Sequence, residues 1–128
     1  TAQWVAKKIK LANFHPHQMT DIETNVQLGV SYLKLVLESL DNLPVLASAA
    51  YNAGPNRARR WRGDQSLEGA IYAETIPFTE TRDYVKKVLS NTTMYAALLT
   101  GEPQSLKAKL GIVGPRDATA PAENLELP

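Results

Sequence analysis

Five polar side chains stand where a cleft could use them: Tyr51 and Asn52, adjacent after an apolar run, and Glu80, Arg82 and Tyr84, close together further along. A phenol and a primary amide each donate and accept hydrogen bonds, so Tyr51 and Asn52 suit a polyhydroxylated ligand. A carboxylate and a guanidinium beside them bind charged appendages, the guanidinium bidentately. Spacing alone leaves a plainer reading open. A Tyr-Asn pair at a helix end also serves architecture, and Glu80 near a helix start also complements the helix dipole.

The elements that must position these residues are helical. Ala49-Ala50-Tyr51-Asn52-Ala53-Gly54-Pro55 reads as the last turn of an Ala- and Ser-rich helix resumed at Val45 after an Asp41-Asn42-Leu43-Pro44 turn. Small residues let other backbones come close, Gly54 is free to take a positive φ, and Pro55 opens the next segment. Thr20 or Asp21 caps a helix to about Leu40, with Asp21 and Glu23 in its first turn. Along it Glu23, Gln27, Ser31, Lys34 and Glu38 form one narrow polar stripe, and apolar residues from Ile22 to Leu37 fill most of the circumference. That pattern predicts a central helix wrapped on most sides, with Gly29 at a close helix contact. Ile76-Pro77-Phe78 is an extended link, Thr79 caps the next helix, and Tyr84, Val85, Val88, Leu89, Tyr95, Leu98 and Leu99 give that helix an apolar face through about Leu99, with Asp83 and Lys87 paired.

Thr1 to about Leu11 is a short amphipathic helix with Thr1 as its N-cap and Trp4 in the core. Ser105 to Leu110 makes one or two helical turns. Residues 111–128 are rich in Pro, Ala and Gly without periodicity, a tail expected to be loose or laid along the surface. No stretch alternates long enough for a strand, so the expected fold is all-α.

Composition narrows the function. With 128 residues, 44% hydrophobic and 21% charged, the chain has room for one globular domain. A net charge of +1 gives no global pull toward nucleic acid or anionic lipid. The local exception is Arg57, Arg59, Arg60 and Arg62 around Trp61, readable as a nucleic-acid patch, as an acidic-ligand site, or as an ordinary face with Trp61 inward and the guanidinium groups solvated or paired with Asp64, Glu68 or Glu74. His15 and His17 flank Pro16 without a third ligand nearby, and cysteine is absent, so neither metal nor cofactor is expected. No apolar run spans a bilayer, and the helical opening at Thr1, lacking a signal peptide, reads as starting partway through a domain.

Ala49-Ala50-Tyr51-Asn52-Ala53-Gly54-Pro55, followed by Arg57 and Trp61, and then Ile76-Pro77-Phe78-Thr79-Glu80-Thr81-Arg82-Asp83-Tyr84-Val85, resemble two successive motifs of the soluble lytic murein transglycosylases. Asn25-Val26-Gln27-Leu28-Gly29 and Ser31-Tyr32-Leu33 resemble the family too, as does the spacing. The likeness runs from Thr1 to about Gly101. It implies the C-terminal portion of a goose-type lysozyme-like helical domain over residues 1–101, with 102–128 as a loosely structured extension. It also implies an envelope or periplasmic setting in bacteria, and a peptidoglycan glycan strand as partner. The implied reaction cleaves the β-1,4 bond between N-acetylmuramic acid and N-acetylglucosamine, leaving a 1,6-anhydromuramyl end. One glutamate serves first as acid to the glycosidic oxygen and then as base to the sugar's own 6-hydroxyl. An internal nucleophile needs no second carboxylate to position water.

By the same resemblance Tyr51 is the cleft tyrosine, Asn52 its partner, and Glu80 a contact to glycan or peptide. Arg82 and Tyr84 support the cleft or touch peptide, and Thr1-Ala2 closes the motif Gly-Leu-Met-Gln-x-Met-Pro-x-Thr-Ala. The family's catalytic Glu-Ser pair belongs upstream of Thr1, so no catalytic residue is assigned in this chain; Glu38-Ser39 lies in the polar stripe and is not a candidate. Asn56 stands where the family has Gly, and Asn tolerates left-handed geometry. The chain alone is therefore expected to be inactive, with a non-catalytic glycan-binding module and a nucleic-acid-binding helical module as alternatives. Apolar surface left on the Ile22 to Leu40 helix would favour self-association.

Overall fold

In the computed structural model, which describes residues 1–120 and 122–128, helix α1 (Ala2–Lys8) leads through a 3-10 turn (Pro16–Thr20) to α2 (Ile22–Ser39), α3 (Pro44–Ala53) and α4 (Pro55–Trp61). A short α5 (Gly69–Thr75), the long α6 (Thr79–Thr100) and a final α7 (Leu106–Leu110) complete the helices. The all-α expectation holds, with one local departure. Leu67–Glu68 (β1) and Ile112–Val113 (β2) pair antiparallel, Leu67 opposite Val113, a ladder too short for alternation to announce it.

The chain closes around α3 and not α2. Val45, Leu46, Ala47, Ser48, Ala49, Ala50 and Ala53 are all buried, and α2, α4, α6 and α7 pack against this helix. Its alanines bring those backbones near, and the larger Val36, Leu40, Tyr72, Ile76 and Val85 fill the space between. Each fully buried aliphatic side chain contributes about 1.5–3 kcal/mol.

Helix α2 is enclosed on one face only, by Leu28, Tyr32 and Val36. Ile22, Val26, Val30 and Leu33 stay exposed, which corrects the expectation of a helix wrapped on most sides. Apolar residues all round a helix show what could be covered, not what this chain covers. Asp21 is the cap, its carboxylate accepting from the Thr24 N–H and holding its own pKa below the usual range through the Thr24 hydroxyl and then that N–H.

Helix α6 begins one residue earlier than capping chemistry indicated. Phe78 is the N-cap, and Thr79 lies inside the helix without a capping bond. Val85 and Leu89 are buried, but Tyr95, Leu98 and Leu99 extend into solvent, so the apolar face is used only in the first half. Lys86 pairs with Glu74 at 2.9 Å, and among the described residues no ion pair joins Asp83 to Lys87. Gly101 closes the helix at φ 72°.

The arginine-rich α4 finds its partners elsewhere than expected. Arg62 meets Asp41 at 2.6 Å and donates to the Gly114 carbonyl, and Arg59 meets Glu123 at 3.2 Å. Glu68 and Glu74 pair with lysines. Trp61 sets its ring edge against Phe78, with centroids 5.2 Å apart, and Arg57 lies over the same Phe78 ring. Asn56 is an ordinary helical residue within α4, so its left-handed tolerance goes unused.

Beyond α7 the chain runs along the surface with fixed anchor points. Val113 and Leu127 are buried in the same core as α3. Lys8 pairs with Glu126 at 2.7 Å, tying the last residues to α1.

Candidate functional site

Two cavities flank Tyr51 and share Asn25, Gly29 and Tyr51 as lining, so they are lobes of one cleft. The larger lobe, about 290 Å³, lies between α2, α3 and α6 and adds Val26, Val30, Leu33, Ser48, Tyr84 and Val88. The smaller, about 200 Å³, adds Thr1, Ala2, Val5, Met19, Leu28 and Tyr32. Tyr51 divides them from the last turn of α3, just before Gly54 takes φ 95° and turns the chain into α4.

Gly29 makes room for that tyrosine. A Cβ there would lie 3.2 Å from the Tyr51 hydroxyl, so the expected close contact at Gly29 is with a phenol and not with a helix backbone. Tyr32 backs Tyr51 from α2, ring centroids 5.6 Å apart and planes tilted 50°. Burial pushes the Tyr32 and Tyr84 phenols above their usual pKa, and the neighbouring Tyr51 adds to both shifts; for Tyr32 the Arg59 guanidinium opposes them. Tyr32 and Tyr84 therefore remain neutral donors and acceptors across ordinary pH.

Of the residues singled out from the sequence, Thr1, Tyr51 and Tyr84 line the cleft. Glu80 is exposed one helical turn before Tyr84 and lines neither lobe. Asn52 turns to the scaffold, its Oδ1 accepting from the Thr81 hydroxyl at 2.7 Å. Arg82 does the same, its Nε donating to the Ile76 carbonyl at 3.0 Å and holding the bend before α6.

Sequence reasoning missed Ser48, and quoted Asn25 in a family-like segment without giving it a place in the cleft. Ser48 is 6% exposed yet lines the larger lobe, one turn before Tyr51 on α3; that i,i+3 relation was the available signal. Asn25 is held by donation to the Met19 carbonyl at 3.1 Å. His15 and His17 stack on each other with centroids 5.7 Å apart, and among the described residues no group of three His, Cys, Asp or Glu is placed to hold a metal.

Chemically, the cleft pairs hydroxyl and amide groups with aliphatic and aromatic walls. Such a surface hydrogen-bonds sugar hydroxyls and packs on the C–H faces of the ring. No carboxylate or imidazole is among the residues lining either lobe, so the lining offers hydrogen-bonding groups and apolar walls but no acid.

The transglycosylase SLT domain family matches residues 1–72, and the soluble lytic transglycosylase helical domain family matches residues 75–104. The soluble lytic murein transglycosylase of Escherichia coli K12 is 38% identical over 111 residues, covering 84% of this chain and 17% of that protein. The one from Salmonella typhimurium is 38% identical over 109 residues, covering 83% of this chain and 17% of its own length. Among solved structures, an inactive Glu-to-Gln mutant of lytic transglycosylase Slt from Pseudomonas aeruginosa superposes with a TM-score of 0.76 at 39% identity, covering 83% of this chain and 17% of that one. The 70 kDa soluble lytic transglycosylase of E. coli gives 0.74 at 36% identity, covering 94% and 18%. This chain thus spans under a fifth of the length of these relatives. A domain match over more than half of the sequence, joined to a common helical fold, shows that the chain belongs to the soluble lytic transglycosylase family.

Proposed function

We propose that this chain forms one wall of the murein-binding cleft of a peptidoglycan lytic transglycosylase in the bacterial periplasm or envelope. The reaction breaks the β-1,4 bond between N-acetylmuramic acid and N-acetylglucosamine and closes a 1,6-anhydro ring on the muramyl end. Residues 1–101 carry the transglycosylase unit, and 102–128 are its C-terminal extension. The observation that carries this reading is the convergence of Thr1, Tyr51 and Tyr84, drawn from three separated family motifs, on one cleft.

In this reading Tyr51 and Tyr84 hold the sugar by their phenol hydroxyls, and Glu80, exposed one turn before Tyr84, meets the glycan or its peptide. Asn52 and Arg82 fix the α3 end and the α6 start. The acid-base glutamate comes from the family's Glu-Ser motif; the Glu-Ser pair of this chain, Glu38-Ser39, lies late on α2, lines neither lobe and is not assigned that role. A Glu-to-Gln change yields an inactive mutant in the Pseudomonas relative, and a single acid and base agrees with an intramolecular nucleophile. The test is to join the corresponding preceding segment of the E. coli relative to this chain and digest peptidoglycan. Anhydro-muropeptides by mass spectrometry from the joined protein, and none from the 128 residues alone, are expected. Product from the chain alone, or none from the joined protein, refutes the reading.

A second reading, a glycan-binding module without chemistry, draws support from a cleft lined without a carboxylate. Chito-oligosaccharide binding by the chain alone, lost in Tyr51→Phe, favours it.

A further inference from the structure

Tyr32 stands behind Tyr51 and is tied to a distant part of the chain. Its ring, 7% exposed, lines the smaller lobe, and its hydroxyl donates to the backbone oxygen of Pro128 at 2.7 Å. The segment that delivers Pro128 is fastened along its length. Glu123 meets Arg59 Nε at 3.2 Å, and the Asn124 carbonyl accepts from Arg59 Nη2 at 2.8 Å. Ser39 Oγ accepts from the Asn124 N–H and from Arg59 Nη2, each at 3.2 Å. Leu127 is buried in the core.

We propose that Tyr32 is a positioning residue for Tyr51, and that residues 123–128 form a strap that holds Tyr32 in place from outside the cleft. Tyr51 is 41% exposed, its hydroxyl lies close over Gly29, and Tyr32 supplies the ring packed against its own. A tyrosine anchored at its hydroxyl loses rotamer freedom, and a tilted ring pair passes that constraint to its neighbour. Tyr51 and Arg59 both lie close enough to act on the Tyr32 phenol, which is raised first by burial, then by Tyr51, and lowered by Arg59. Arg59 is thus both the anchor of the strap and a neighbour of the ring that the strap holds. Its side chain is only 11% exposed, and releasing Glu123 would leave an enclosed cation without its carboxylate.

The test is fluorine NMR on the full chain labelled with 3-fluorotyrosine, its five tyrosines assigned by single Tyr→Phe changes. Two variants are compared with the parent. Glu123→Lys breaks the strap at a residue that makes no hydrogen bond to either tyrosine; Tyr32→Phe keeps the ring and removes only the hydroxyl. In both, the Tyr51 signal is expected to shift and broaden, while Tyr72, 1% exposed, keeps its position and reports the intact core. An unmoved Tyr51 signal in either folded variant overturns the proposal. Should Glu123→Lys fail to fold, Tyr32→Phe alone decides. The readout needs no substrate, so its outcome is independent of the transglycosylase reading.

Discussion

The Thr81 hydroxyl donates to Asn52 Oδ1 at 2.7 Å, joining the last turn of α3 to the first turn of α6. Thr81 is 2% exposed, so the bond is the means by which its hydroxyl is satisfied. Asn52→Ala strands that hydroxyl and is expected to cost about 1–3 kcal/mol of stability. Thr81→Val strands the amide oxygen instead, at a similar or smaller cost because Asn52 is only half-buried. A double-mutant cycle read by denaturant unfolding checks this: coupling near zero would return Asn52 to the ligand-contact role that its position beside Tyr51 suggests.

Gly29 and Gly69 separate two uses of glycine. At Gly29 a new Cβ meets only the end of the half-exposed Tyr51 side chain, which can yield. Gly29→Ala is expected to raise stability by up to about 1 kcal/mol through helix propensity while displacing the Tyr51 ring. Thermal unfolding and the Tyr51 fluorine signal report the two effects separately. At Gly69 the Cβ would run into the Leu110 backbone carbonyl, which cannot yield. Gly69→Ala is expected to cost about 1–3 kcal/mol and loosen α7 from α5, seen as faster amide exchange at Leu110 and Gly111.

Tyr72 makes stability depend on pH at the alkaline end. Burial pushes its phenol from 10.0 up to about 12, and its hydroxyl is buried without a hydrogen-bond partner among the described residues. The sign comes from proton binding: between these values the unfolded state has released the proton and the folded state retains it. Its contribution is whole below about pH 10 and is lost as pH rises toward 12. Tyr72→Phe is expected to flatten this alkaline loss and to leave neutral-pH stability equal or higher, since no partner is abandoned. Urea titrations from pH 8 to about 12 decide it, and an undiminished slope in the variant would refute it.

The uncovered face of α2 should make this chain self-associate. Ile22, Val26, Val30 and Leu33 are 79%, 56%, 61% and 41% exposed and recur at helical spacing. Sedimentation velocity is expected to show concentration-dependent dimers or larger species, reduced by combining Val26→Glu with Val30→Lys. A monomer at all concentrations in the parent chain would refute this expectation.

The sequence made the helices and the cleft tyrosine legible, because capping residues, the Gly54-Pro55 break and the motif around Tyr51 are local signals. It left hidden whatever depends on distant pairing. Aperiodic residues 111–128 hold Glu123 and Leu127, yet nothing near them names Arg59 or the core as their destination. The arginines of α4 and Arg62 just after it looked toward the nearer Asp64, Glu68 and Glu74, and the fold pairs Arg59 with Glu123 and Arg62 with Asp41 instead. Asn52 and Tyr51 are adjacent in every reading of the string. One helical step of about 100° separates them, and that step sends one to Thr81 and the other to the cleft.

The ion pair between Lys8 and Glu126 has a topological consequence. Lys8 and Glu126 lie 118 residues apart, and the same late segment reaches Tyr32 through Pro128, so α1 and α2 are both held by residues from the far end of the sequence order. Contacts that close so long a stretch of chain cost more entropy to form than local ones, so this edge of the fold is expected to assemble late and to open early.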